Sequence, residues 1–102
     1  MKLDNVKYFE CHITIEPVFQ ERLLLFQEIC KDYKFRVADL YMQREREATP
    51  ERSNKDTFCT GRGKDYNEIK VRMYRLVAQL EDHDYDVWRQ KIEAVVLDDR
   101  LK

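Results

Sequence analysis

Glu10, His12 and Thr14 stand at alternate positions of the run Tyr8-Phe9-Glu10-Cys11-His12-Ile13-Thr14-Ile15. Side chains of an extended chain alternate between faces, so these three polar groups share one side while Phe9, Cys11, Ile13 and Ile15 share the other. An imidazole titrates near neutral pH and donates or accepts, a carboxylate accepts or orients a cation, and a hydroxyl does both. On one sheet face they can hydrogen-bond a polar ligand. With a further carboxylate such as Glu93 they also offer the atom types of a metal site. The same residues equally suit an ion-paired, solvated sheet surface.

The elements that must hold these groups follow from periodicity. Residues 6–15 alternate and carry Val6, Tyr8 and Phe9, which favour a strand, and Glu16-Pro17 ends it because proline lacks a ladder donor. Over 18–33 the apolar residues switch to helical spacing, with Phe19, Leu23, Phe26, Cys30 and Tyr33 as a stripe that Leu24, Leu25 and Ile29 widen. Residues 35–43 read as a second strand, 44–55 as a mobile charged loop, and 56–61 as a third strand. Gly61-Arg62-Gly63-Lys64 reads as a turn into a helix that Asp65 caps, with Glu68 at the capping-box spacing. That helix runs to about residue 82 with Ile69, Met73, Leu76, Val77 and Leu80 on one face. Val87 to Leu97 reads as a fourth strand and 98–102 as a charged tail.

The order is β-α-β-β-α-β in one domain spanning 1–102. The simplest arrangement is an α+β, ferredoxin-like βαββαβ fold: a four-stranded antiparallel sheet, both helices on one face, strand order 4-1-3-2. The first strand then lies between the third and fourth. On the fourth strand, Trp88, Ile92, Ala94 and Val96 are the core set, which turns Arg89, Lys91 and Glu93 outward. On the third, Cys59 faces the core, which turns Phe58, Thr60 and Arg62 outward. The candidate ligand-binding residues are therefore Glu10, His12, Thr14, Thr60, Arg62, Lys91 and Glu93. His12 is their hydrogen-bonding centre, Arg62 and Lys91 hold negative charge, and the two glutamates orient the cations.

His12-Ile13-Thr14 resembles the His-x-Thr element of two-histidine phosphoesterases. The resemblance implies histidines acting as acid and base on a phosphodiester, with hydroxyls holding phosphate oxygens. The symmetric second element belongs on the third strand, where this chain has Phe58-Cys59-Thr60, and its other histidine, His83, falls in a helix exit. The reading is thus a non-catalytic binding protein, with a divergent phosphoesterase-like hydrolase using His12 and Thr14 as the alternative. As a short, highly charged lone domain the chain also resembles small accessory proteins of phages and bacteria.

Charge narrows the partners. The chain has 19 basic and 20 acidic residues, so no bulk field draws it to nucleic acid or an anionic membrane. Gly-x-x-x-x-Gly-Lys-Ser/Thr is absent, so 60–65 is not a P-loop. A polar or anionic small molecule, such as a nucleotide or phosphate, or a protein partner remains for the sheet face. A second copy would pair through that face or through the edge of the fourth strand. Neither a cofactor nor a metal is expected. Three scattered cysteines, Cys11, Cys30 and Cys59, suit buried free thiols and a cytoplasmic setting better than a disulfide framework.

Overall fold

Alternation along the first strand decides which side of the sheet is dry. The computed structural model describes residues 6–37 and 57–96, and in it β1 (Val6–Ile15) buries Cys11, Ile13 and Ile15 completely while Glu10, His12 and Thr14 keep partial exposure. The chain continues as α1 (Gln20–Asp32), β2 (Arg36–Val37), β3 (Thr57–Gly63), α2 (Tyr66–Asp82) and β4 (Val87–Val96). The loop expected at 44–55, the tail at 98–102 and the outer part of the strand expected at 35–43 lie outside the described residues.

The sheet is antiparallel throughout, ordered β2-β3-β1-β4, which places β1 between β3 and β4. The helices supply Leu23, Phe26, Ile29 and Cys30 from α1 and Ile69, Met73, Leu76, Val77 and Leu80 from α2 to the same core as Cys11, Ile13, Ile15 and Cys59. Each large apolar side chain buried there contributes about 1.5–3 kcal/mol.

Three packing expectations are corrected. Leu24 is 59% exposed and Leu25 is exposed as well, because α1 turns only the Leu23–Phe26–Ile29–Cys30 stripe inward. Trp88 is 53% exposed although its neighbours in phase, Ile92 and Ala94, are half-buried. The β1–β4 register shifts between Thr14↔Arg89 and Ile15↔Val87, so Trp88 sits in the irregularity, and its indole N–H donates to Asp86 Oδ2 at 3.2 Å. Val96, at the strand's end, is exposed too.

The stretch read as a turn, Gly61-Arg62-Gly63-Lys64, is instead mostly strand, since β3 runs to Gly63. Gly61 is needed for close approach, while Gly63 lies against the ends of two long side chains. A Cβ on Gly61 would lie 2.7–2.8 Å from three carbons of the buried Phe35 ring, and one on Gly63 would lie 2.8 Å from Glu68 Oε1. Both helix exits have one design. The N–H groups of Lys34 and Phe35 donate to the carbonyls of Lys31 and Cys30, and those of Asp84 and Tyr85 to Glu81 and Leu80. This is the Schellman pattern, with Lys34 (φ 63°) and Asp84 (φ 66°) at the left-handed position where glycine is usual. The next residue in each case, Phe35 or Tyr85, is a buried aromatic.

Candidate functional site

The pairing register turns the open face into rungs. One crosses all four strands as Arg36–Thr60–His12–Lys91, the next is Arg62–Glu10–Glu93, and a third is Phe58–Thr14–Arg89. These alternate residues share the side away from the helices because Cys11, Cys59 and Ile92 take the other phase.

His12 sits where these rungs meet. Its Nδ1 lies 3.2 Å from Thr60 Oγ1, and its Nε2 lies 3.4 Å from Glu10 Oε1 and 3.3 Å from Glu93 Oε1. The second oxygen of each carboxylate is held from outside. Arg62 Nε donates to Glu10 Oε2 at 3.1 Å, and Lys91 Nζ is 3.1 Å from Glu93 Oε2. The Lys91 hydrogen bond and charge hold the Glu93 carboxyl below its ordinary value, with His12 adding a smaller pull. Arg62 also lies over the Tyr8 ring, 5.2 Å from its centroid. Six of the seven sequence-derived residues are thus linked in one patch. Thr14 shares the face but lies one rung away, opposite Phe58 and Arg89.

Beside the patch, a cleft of about 730 Å³ opens on the β2–β3 side, lined among others by His12, Lys34, Arg36, Thr60, Arg62 and Arg72. No protein-family model matches the chain, and no curated protein is significantly similar to it.

Sequence reasoning missed three of the cations on this cleft. Arg36 faces Thr60 across the described part of β2, whose alternation in sequence does not assign a face. Lys34 reaches the rim because the α1 exit turns left-handed there. Arg72, on α2, donates to the carbonyls of Tyr33 (3.2 Å), Lys34 (3.3 Å) and Arg62, and grips Glu68 through Nε (3.0 Å) and Nη2 (3.3 Å). It builds the cleft wall by tying α2 to the α1 exit and to β3. Its spacing from Glu68, four residues along a helix, was a legible signal for the ion pair but not for the carbonyls.

The N-terminus of α2 is engaged by its own side chains. Asp65 Oδ2 accepts from the Glu68 N–H at 2.9 Å, a cap as the spacing predicts, while the Glu68 carboxylate turns to Arg72. His83 caps the far end of the same helix with Nδ1 2.9 Å from the Gln79 carbonyl, remote from His12 in sequence and role. Cys11, Cys30 and Cys59 are free and buried. Burial pushes the Cys11 thiol up to about 12, and a hydrogen bond with Cys30, then burial, raise Cys59 further. Among the described residues, no helix is long and apolar enough to cross a membrane.

Proposed function

We propose that this protein is a small, non-catalytic binding protein of ferredoxin-like arrangement whose open sheet face recognises a polar or anionic small molecule carrying phosphate. The observation that carries the reading is the cleft, where Lys34, Arg36 and Arg62 stand beside the Thr60 hydroxyl and the His12 ring. Guanidinium groups present paired donors that match phosphate oxygens, and a neighbouring hydroxyl supplies a neutral donor. The face divides its labour by charge. Arg36, Thr60 and Arg62 take the anion, while Glu10 and Glu93 orient the cations and His12 joins the halves through Thr60. Lys91 stabilises Glu93, and Thr14 extends the polar surface by one rung.

The hydrolase reading has less behind it. A two-histidine reaction needs a second acid–base group opposite the first, and the residue opposite His12 is Thr60.

Titration with inorganic phosphate and with a nucleoside monophosphate, followed by amide NMR, tests the proposal. Shifts are expected at Arg36, Thr60 and Arg62, weakened at least tenfold in affinity by Arg36→Ala. The absence of shifts at millimolar ligand refutes it. Release of inorganic phosphate or cleavage of a phosphodiester, lost in His12→Ala, would establish the hydrolase instead.

A further inference from the structure

Three ligand-type atoms converge where β1 meets β4, at the edge of the cleft, with Arg62 on the outer oxygen of Glu10. Glu10 Oε1, His12 Nε2 and Glu93 Oε1 all lie within 4.8 Å of one another. We infer that they form a binding site for one divalent first-row transition ion, of which zinc is the natural probe. This goes beyond the anion reading and does not rest on it.

The distances suit a bound metal ion as well as an imidazole shared between two carboxylates. A charge-assisted N–H···O contact settles at about 2.7–2.9 Å. Here the two Nε2–Oε1 separations are 3.4 and 3.3 Å. Ligands about 2.05 Å from a tetrahedral zinc are separated by about 1.63 times that length, or about 3.3 Å. His12 Nε2 therefore stands at the edge length of a zinc tetrahedron from each carboxylate oxygen, and the two oxygens lie within 4.8 Å of each other.

The surroundings aim the same atoms. Thr60 Oγ1 engages Nδ1, which leaves Nε2 to point between the carboxylates, and metal-bound imidazoles characteristically have their other nitrogen so held. Arg62 takes the outer oxygen of Glu10 and Lys91 the outer oxygen of Glu93, so each inner oxygen turns towards His12. Those two cations also offset the mutual repulsion of the carboxylates in the metal-free protein. An imidazole with two carboxylates suits zinc or its neighbours better than magnesium or calcium, which prefer oxygen alone. Three protein ligands leave a position open to water or to a ligand oxygen. The side chains of Glu10, His12 and Glu93 are 20%, 27% and 48% exposed, enough for an ion to enter.

Zinc titration of the full chain, by calorimetry and by the His12 ring signals in nitrogen-15 NMR, is the test. The expected result is one ion per chain, a shift centred on Nε2 and no competition from magnesium. Glu93→Gln, at an exposed position, should weaken zinc at least tenfold with the amide spectrum otherwise native. Thr60→Val, which acts only through the ring orientation, should weaken it less. Absence of zinc binding, or binding that survives Glu93→Gln and is lost in His83→Gln, overturns the inference. Zinc binding without phosphate binding leaves this site standing and removes the anion reading, and the converse result does the opposite.

Discussion

Gly61→Ala should destabilise the fold by about 2 kcal/mol, although the residue lies in a strand where alanine is conformationally acceptable. The added methyl would meet three carbons of the Phe35 ring at 2.7–2.8 Å, about 1 Å inside ordinary carbon–carbon contact. Phe35 is only 3% exposed, so the ring has nowhere to retreat without moving the backbone. Forcing an extra carbon into such a site costs about 1–3 kcal/mol, and three simultaneous overlaps point to the upper end. Against this, replacing glycine restricts the unfolded chain and returns about 0.4–1 kcal/mol. The net loss should lower the melting temperature by about 8–16 °C at 4–8 °C per kcal/mol. Urea and thermal unfolding of Gly61→Ala, Phe35→Leu and the double variant form the assay. A leucine lacks the flat ring that fills the space over Gly61, so the double variant should lose at least about 1 kcal/mol less than the two singles together. A Gly61→Ala midpoint equal to wild type, or strictly additive losses, would refute the close-approach argument.

Arg72→Lys should cost about 2–3 kcal/mol by urea denaturation, because lysine keeps the charge but cannot span three carbonyls and a carboxylate with one planar fork; a cost below about 0.5 kcal/mol would show that the fork is dispensable. Lys34→Gly should raise stability by about 0.5–1 kcal/mol, since a left-handed lysine costs roughly 1–2 kcal/mol and glycine returns part of that as unfolded-chain freedom. Asp84→Gly should gain less in the same thermal assay, because aspartate tolerates that conformation better. The thiol contribution to stability should be level below pH 9.0 and fall as pH rises towards about 12. The unfolded Cys11 thiol ionises at its ordinary value while the buried one holds its proton, so base favours the unfolded chain, and the raised Cys59 and Tyr85 add to the fall. Urea midpoints measured across that range should decline less in Cys11→Ala; a flat profile in the wild-type protein would contradict the burial of these groups.

Element identity was legible wherever one physical signal was strong. Alternation marked β1, and the Ile69–Met73–Leu76–Val77–Leu80 stripe with its Asp65 cap marked α2; all five stripe residues are buried and the cap is made. The phase of β3 was also readable, because a buried Cys59 forces Phe58, Thr60 and Arg62 outward. Glycine misled. Gly61 and Gly63 signal a turn in sequence, whereas both lie in β3, and Gly61 makes room for Phe35, a partner distant along the chain. Helical spacing likewise cannot say how wide a buried stripe is, which left Leu24 on the wrong side. Site residues on strands came through because face alternation is local. The Arg72 wall and the Lys34 rim did not, since they depend on how helix ends meet the sheet.

The two helix exits differ in one respect that bears on selection. Asp84 stands in its left-handed turn away from the cleft, while Lys34 holds the same strained geometry on the cleft's rim. A glycine at either place would relieve the backbone, but only at position 34 would it remove a cation from the candidate site. Stability and binding therefore pull in opposite directions at Lys34 and not at Asp84. The pair is an internal control: a chain optimised for folding alone would exchange both, and one that must keep its cleft would exchange only the second.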